Sequence, residues 1–295
     1  MHKSAPVFSK AFLSASVFAL SLLATAAQAC MTDEQVSALH ASYLTKTPAA
    51  NPEGLSDAAG ECSRAKLTAL MEKQGAKLVG YKAGLTNPAV QKRFNATSPV
   101  WGKLYENMLL KDGASVDAAF GARALFEADM LVRVSSEAIN SAKTPMDVLN
   151  AIDQIIPFIE LPDLVVQAPP RLNGAAISAI NVGARLGVVG QPIAAPKLRA
   201  EKFQMLDALR DMQVTMTDAA GMNLGGGKGS DILEHPLNAV VWLAEALKKE
   251  GQAMKVGQLI SLGSFSPLVP TKAGLAVTVN YAGLPGAMPV RVSFK

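Results

Sequence analysis

Leu125-Phe126-Glu127-Ala128-Asp129-Met130-Leu131-Val132-Arg133-Val134 is the stretch whose reading decides the fold. Taken as a β-strand, with side chains alternating between faces, it sends Phe126, Ala128, Met130, Val132 and Val134 to one side as an unbroken core face. Glu127, Asp129, Leu131 and Arg133 go to the other. Carboxylates two residues apart on a strand stand about 6.5–7 Å apart at the backbone, so both reach a shared cation held at roughly 2.1 Å, the oxygen distance that Mg²⁺ or Mn²⁺ prefers. Without a cation the two acids repel, and one of them tends to take up a proton. The competing reading solvates this face and pairs Arg133 with Asp129, four positions away on the same side. A further acid, Glu160, stands in the apolar run Phe158-Ile159-Glu160-Leu161.

Working outward, Thr144-Pro145 predicts the start of a helix carrying Val148, Ile152, Ile155 and Ile156, which Pro157 ends just before a short strand bearing Glu160. Upstream, Thr32-Asp33-Glu34-Gln35 has the pattern of a capping box, with Val36, Leu39, Tyr43 and Leu44 following on one helical face. A second helix opens at Asp57, turns Cys62, Ala69 and Leu70 inward and stops at Gln74-Gly75. Lys77 to Leu85 reads as a strand with Lys82 near its end, where a lysine is ordinarily an exposed charge. Small and Gly-rich residues from Ala168 to Gly190 predict turns and close backbone packing. Gly225-Gly226-Gly227-Lys228-Gly229 departs from the phosphate-loop pattern, having no Gly five residues before Gly227-Lys228 and no following Ser or Thr, so it is expected to be a mobile turn or hairpin loop. Pro236 to Lys249 is an amphipathic helix with Val240, Leu243 and Leu247 inward, and strands are expected at 258–262, 275–281 and 288–294. There is no internal repeat or linker. Residues 30–295 are therefore expected to form a single domain with an N-terminal helical part at 30–75.

The chain has 295 residues, of which 49% are hydrophobic and 18% charged, an ordinary globular balance. Its first 29 residues have the build of a signal peptide: Lys3 and Lys10 lead an apolar run, Ala11 to Ala26, which ends in the small-x-small site Ala27-Gln28-Ala29. Their removal takes away two lysines and no acid, so the formal charge falls from +4 to +2, too little to imply a nucleic-acid or anionic-membrane partner. No later run is long and apolar enough for a transmembrane helix. The expected location is exported, in the periplasm. Export makes Cys30 and Cys62 candidates for a disulfide. The alternative is a lipoprotein anchored at Cys30, although Ala27 stands where such sites usually carry Leu.

Several motifs in order resemble one family, the 2-keto-4-pentenoate hydratases and their 2-oxo acid decarboxylase relatives within the fumarylacetoacetate hydrolase group. Gly80-Tyr81-Lys82-Ala83-Gly84-Leu85-Thr86 is similar to a G-Y-K-x-G-L-T segment, and Glu127-Ala128-Asp129 to an E-x-E metal motif with its second acid shortened. Glu160 sits where the family keeps a third metal ligand. His235-Pro236-Leu237-Asn238 and Gly263-Ser264-Phe265 match its C-terminal part, and the resemblance runs from about Ser56 to Lys295. It implies an α+β fold, with a mixed, curved β-roll or barrel core of the fumarylacetoacetate hydrolase C-terminal type and helices around it, commonly in homo-oligomers. It also implies Mg²⁺ or Mn²⁺ on Glu127, Asp129 and Glu160, a catalytic and substrate-binding Lys82, and substrate contacts from Asn181 and Ser264.

The activity implied is that of a metal-dependent hydro-lyase on a small 2-hydroxy-dienoate or 2-oxo-enoate acid, such as 2-keto-4-pentenoate. The alternatives are a 2-oxo acid decarboxylase, or a catalytically impaired exported relative that binds oxo acids or serves a structural role. The last is raised by two departures from the family. Val100, in Pro99-Val100-Trp101-Gly102, and Ile180, in Ala179-Ile180-Asn181, replace acids, so Val100→Asp is expected to raise the rate unless Glu106 or Asp163 fills the same space. His40 and His235 are read as structural, His235 at a helix start.

Overall fold

The computed structural model describes residues 1–2 and 30–295; the rest of the expected leader, 3–29, lies outside the described residues. In chain order the elements are α1 (Asp33–Thr45), α2 (Asp57–Lys73), β1 (Leu78–Gly84), α3 (Pro88–Arg93), β2 (Val100–Tyr105), β3 (Leu109–Lys111), β4 (Ala114–Val116) and β5 (Leu125–Val134). There follow α4 (Pro145–Asn150), β6 (Ile152–Leu161), α5 (Gly174–Ala179), β7 (Leu186–Val189), β8 (Ile193–Ala194), α6 (Arg199–Asp211), β9 (Gln213–Asp218) and β10 (Asn223–Lys228). The last are α7 (Asn238–Lys249), β11 (Leu259–Ser261), β12 (Val269–Pro270), β13 (Ala276–Ala282) and β14 (Val290–Phe294).

The strands form two sheets. A nine-stranded mixed sheet runs β2-β1-β11-β5-β6-β7-β3, with β12 on β5 and β8 on β6, and curls into a half-barrel; a five-stranded sheet runs β10-β9-β13-β14-β4. This is the expected α+β class with a curved mixed core. β5 belongs to the larger sheet and faces a core on each side. Its apolar face, Phe126, Ala128, Met130, Val132 and Val134, is at most 1% exposed and packs against the second sheet, where the Phe126 and Phe294 rings lie 5.5 Å apart, and against Val240, Leu243 and Leu247 of α7. The opposite face begins a second core, in which Leu131, Ile156 and Phe158 meet Val36 and Leu39 of α1, Leu67 of α2 and Ile177 of α5. Helices α1, α2 and α5 thus cover the face of the sheet that carries Glu127 and Asp129.

Local chemistry accounts for the helix ends. Thr32 and Gln35 form the capping box of α1, Ser56 caps α2, and Gly75 supplies the positive φ that follows α2. Leu44 and Ala69 differ from expectation: both are exposed, because α1 and α2 bury narrower stripes than their sequences offer. The helix predicted through Ile156 ends at Asn150. From Ile152 the chain is strand, straight through Pro157, because β-branched Ile152, Ile155 and Ile156 favour the pleated surface. Gly225 to Lys228 is likewise strand, the outer member of a hairpin with β9, and not a mobile loop. Arg133 does not pair with Asp129; it makes a two-pronged ion pair with Asp153, at 2.8 and 2.6 Å.

Cys30 and Cys62 form a disulfide with Cα atoms 5.6 Å apart, tying the chain ahead of α1 to α2. No helix of the described residues is long and apolar enough to cross a membrane. The disulfide closes a 32-residue separation, so its reduction, or Cys62→Ser, should lower stability by about 3–4 kcal/mol, read from urea unfolding with and without reductant.

His235 is buried ahead of α7, where Nδ1 accepts from the Leu237 amide and Nε2 lies 3.1 Å from the Leu206 carbonyl. Burial holds its pKa below the ordinary 6.5. Because the folded-state pKa is the depressed one, the neutral ring's contribution is full above pH 6.5 and is lost as pH falls through the folded value. The stability advantage of wild type over His235→Gln should therefore be constant above that pH and shrink below it, as measured by urea midpoints at matched pH.

Candidate functional site

The pairing of β5 with β6 sets Glu127 directly opposite Glu160, with Ala128 opposite Ile159 and Asp129 opposite Phe158. Like charges face to face across a strand pair are destabilising. Their counter-charge comes from β1. Lys82 is one strand removed from β5: it pairs with Ser261 of β11, which pairs in turn with Leu131. From there the Lys82 ammonium donates to a Glu160 carboxylate oxygen and, at 3.0 Å, to the Val182 carbonyl. Lys82 and Glu160 are each 3% exposed. Lys82 is therefore no surface charge. Burial pulls its pKa down to about 8, against the raising influence of Glu127 and Asp129.

Asp129 lies behind this group and is fully buried. Its carboxylate accepts from the Ser261 hydroxyl, from the Met130 amide and, at 3.0 Å, from the Gly263 amide. Burial pushes its pKa up to about 7, and the Ser261 and Met130 hydrogen bonds work in the opposite direction. Glu127 is also held above the usual carboxylate range, by burial first, with Lys82 and Ser264 opposing. Gly263 has φ +98°, and a Cβ there would overlap the Thr86 side chain, so glycine is what lets this amide approach Asp129.

Lys82, Glu127 and Glu160 line one cavity of about 170 Å³ together with Ser264, Thr86 and Arg93; its remaining walls are largely apolar, among them Phe94, Leu164, Ile177, Val182 and Leu268. Ser264 reaches the cavity, but its hydroxyl donates to the Ser266 carbonyl at 2.7 Å and accepts the Ser266 amide at 3.1 Å, fixing the loop that forms one wall. Asn181 does not reach it. Its side-chain oxygen accepts the Lys103 amide at 2.8 Å and its NH₂ donates to the Lys103 carbonyl at 3.0 Å, so the whole amide is spent on β2. The side chain that was expected to contact substrate is thus held against Lys103. Asn181, Val182 and Gly183 have φ of 53°, 54° and 64°, a left-handed run that is costly for a β-branched valine. This bend is what aims the Val182 carbonyl at Lys82.

Val100 lines a second cavity, of about 240 Å³, although its side chain is on the same face of β1 and β2 as Lys82, opposite Gly84 and beside Val182. There Arg64, almost fully buried, stacks 3.6 Å over the Trp101 ring and pairs with both Glu250 oxygens. Val182 lies beside Val100 on that face and lines the Lys82 cavity, which Val100 does not. Ile180 is core. Asp163 accepts the Ala122 and Arg123 amides, and Glu106 lies by Lys77 on the surface, so neither stands in for the missing acids.

The acids gathered here suit a hard cation, since Glu127, Asp129 and Glu160 face only Lys82 as a positive side chain. The full donor set is not drawn together, however: among the described residues no three His, Cys, Asp or Glu side chains are grouped closely enough to hold a metal ion. Asp129 is turned to Ser261 and Gly263, and Lys82 occupies Glu160. Ser261, Val182 and Arg93 were not legible as site residues, because each arrives through pairing or a bend distant in sequence.

No protein-family model matches the chain. It is 32% identical over 212 residues to 2-hydroxyhexa-2,4-dienoate hydratase of Comamonas testosteroni, covering 70% of this chain and 75% of that protein. It is 29% identical over 220 residues to 2-keto-4-pentenoate hydratase of Burkholderia vietnamiensis, covering 73% and 78%. Among solved structures it matches 4-oxalocrotonate decarboxylase from Pseudomonas putida G7, complexed with magnesium and adipate, with a TM-score of 0.76 and 25% identity over 91% of this chain and 100% of that one. A yeast fumarylacetoacetate hydrolase family protein, at 13% identity and a TM-score of 0.50 over 73% of this chain and 91% of that one, shares the fold. The chain belongs to the 2-keto-4-pentenoate hydratase family.

Lys82→Met would leave Glu127 and Glu160 facing each other with no cation. In metal-free buffer this should cost about 3–5 kcal/mol, the scale for removing one partner of a buried ion pair, and adding Glu160→Gln should recover most of the loss in urea unfolding.

Proposed function

We propose that this protein is a metal-dependent hydro-lyase acting on a small 2-oxo-enoate or its 2-hydroxy-dienoate tautomer. The observation that carries the reading is the placement of the Lys82 ammonium, buried against Glu160 and beside Glu127, in an otherwise apolar cavity. Such a cavity takes the apolar chain of the acid, and its polar end takes the oxygens. The hydratase relatives support this choice of reaction. Glu127 and Glu160 would hold a Mg²⁺ or Mn²⁺ ion, joined by Asp129 if it gives up Ser261 and Gly263. When bound, the ion supplies Lewis acidity that stabilises negative charge on the 2-oxo oxygen.

Hydration puts a hydroxyl on one carbon of the distal double bond and a proton on another carbon of the conjugated chain, so one proton leaves water and one is delivered to carbon. Lys82 is the group that holds a proton at the cavity, on Nζ, with Glu160 and the Val182 carbonyl fixing its direction. The apolar walls keep bulk water from the chain. Decarboxylation is the second reading, favoured by the likeness to 4-oxalocrotonate decarboxylase over 91% of this chain. It calls on the same charge stabilisation but releases CO₂ in place of adding water. An impaired oxo-acid-binding relative would show affinity without either product.

Export to the periplasm completes the proposal, and the Cys30–Cys62 disulfide supports it, since such bonds persist in oxidising compartments. A disulfide-bonded Cys30 has no thiol left for a lipid anchor. A homo-oligomer is the assembly the family resemblance implies.

The test is an ultraviolet assay of the mature protein with 2-hydroxypenta-2,4-dienoate and with 4-oxalocrotonate, plus product analysis. Substrate absorbance should fall with Mg²⁺ or Mn²⁺ present and stay constant in EDTA. Glu160→Gln should weaken metal affinity by about tenfold or more. No metal-dependent change with either substrate would overturn the reading, and CO₂ release in place of a hydrated product would select the decarboxylase.

A further inference from the structure

We infer that Tyr281 is a positioning residue for the cation site: its hydroxyl, reaching from the second sheet to the backbone of β5 and β6, sets the spacing at which Glu127 and Glu160 meet an ion. The inference rests on the reading of those two carboxylates as the groups that hold the ion. Tyr281 stands near the end of β13, where it pairs with Val214 of β9. Its ring is buried in the core on the apolar side of β5, edge-on to Phe265 with the centroids 6.5 Å apart. The hydroxyl meets both site strands at one level. It accepts the Phe158 amide at 3.1 Å, and as a donor it has the Phe158 carbonyl, at 2.9 Å, and the Asp129 carbonyl within reach. Asp129 and Phe158 are directly opposite in the register, and Glu127 and Glu160 are the pair two residues further along.

On an antiparallel pair the hydrogen-bonded positions recur every second residue, so the Asp129–Phe158 level is the neighbour of the Glu127–Glu160 level. The hydroxyl ties that level to a third strand. β5 and β6 cannot part or shear there without also moving β13, which is itself held on both sides by β9 and β14. Two carboxylates set opposite each other push the strands apart, and a cation at oxygen distances of about 2.1 Å allows little error in where they stand. The ring adds a second hold, since the amide of Phe265, its edge-on neighbour, donates to the Ala128 carbonyl, and the flanking Ser264 and Ser266 line the cavity. The bland alternative is that a buried tyrosine hydroxyl has only found partners for itself. One partner is enough for that, whereas here three backbone groups of two strands converge on it. That alternative predicts a loss of stability without the hydroxyl and no change in metal affinity.

The experiment is calorimetric titration of the mature protein with Mn²⁺, comparing wild type with two variants. Tyr281→Phe keeps the ring and removes the hydroxyl; Val279→Ala removes buried methyl groups from the same strand. Tyr281→Phe should weaken Mn²⁺ binding about tenfold or more, the scale for a partner one step removed from the metal ligands. Val279→Ala should lower the melting temperature and leave Mn²⁺ affinity unchanged. In a Glu160→Gln background the loss from Tyr281→Phe should shrink, because one of the two carboxylates that the hydroxyl spaces is no longer a charged ligand. Hydrogen exchange of the Phe158 amide is read in wild type as well, where Mg²⁺ should slow it, so the outcome does not hang on the folding of Tyr281→Phe. Unchanged Mn²⁺ affinity in Tyr281→Phe, an equal loss in Val279→Ala, or a Phe158 amide indifferent to Mg²⁺ would overturn the inference and leave the metal reading standing. Binding of neither ion by wild type would overturn both.

Discussion

Two carboxylates face each other across β5 and β6, and most of the site's construction answers to that one repulsion. Glu127 and Glu160 are paired by register, so moving either means slipping a strand by one residue, which would turn every side chain of β5 to the wrong layer. The register is fastened from the apolar side by Tyr281 of β13, whose buried hydroxyl sits among the Phe158 amide, the Phe158 carbonyl and the Asp129 carbonyl. The charge is answered from the other side by Lys82. For Lys82 to arrive, β1 must lie beside β11 closely enough that a Cβ at Gly80 would collide with the Leu259 backbone, and only glycine permits that approach.

The wall between the two cavities follows from the same arrangement. β1 and β2 pair with Gly84 opposite Val100, and the Asn181–Gly183 bend fits against them where Gly102 leaves room for the Asn181 backbone. Val182 lines the Lys82 side and Val100 the Arg64 side. On that far side, Arg64, Trp101 and Glu250 satisfy one another, with the Trp101 ring nitrogen donating to Glu250 at 3.0 Å. A charge cluster that is closed in this way stiffens the partition but offers a ligand few free donors.

The alternation of β5 was legible because period two with one wholly apolar face fits a half-buried strand and hardly any other element, and the capping box of α1 and the helix ending at Lys249 were legible for similar local reasons. Ile152 to Ile156 was not. Its residues satisfy a helical spacing as well as a strand, and only pairing with β5, which is not local, decides between them. The three acids and Lys82 were found through motif order, whereas what each does depends on partners far away in sequence. Asp129 is engaged by Ser261 and Gly263, more than 130 residues on, and Asn181 is engaged by Lys103. For Val100 a motif gives the position along the chain, but that Val182 lies beside it follows only from a bend about 80 residues on.

β11 is only three residues long, yet it joins β1 to β5, running parallel to the first and antiparallel to the second. It enters the middle of the large sheet from the last fifth of the chain. Until residues 259–261 exist, the two strands that carry Lys82 and Glu127 have unpaired inner edges and no common sheet, which is the state in which strands recruit other chains. Such distant pairing makes for slow folding. Keeping those edges from other chains until the last strand arrives is then a task for the folding pathway as much as for the finished sheet.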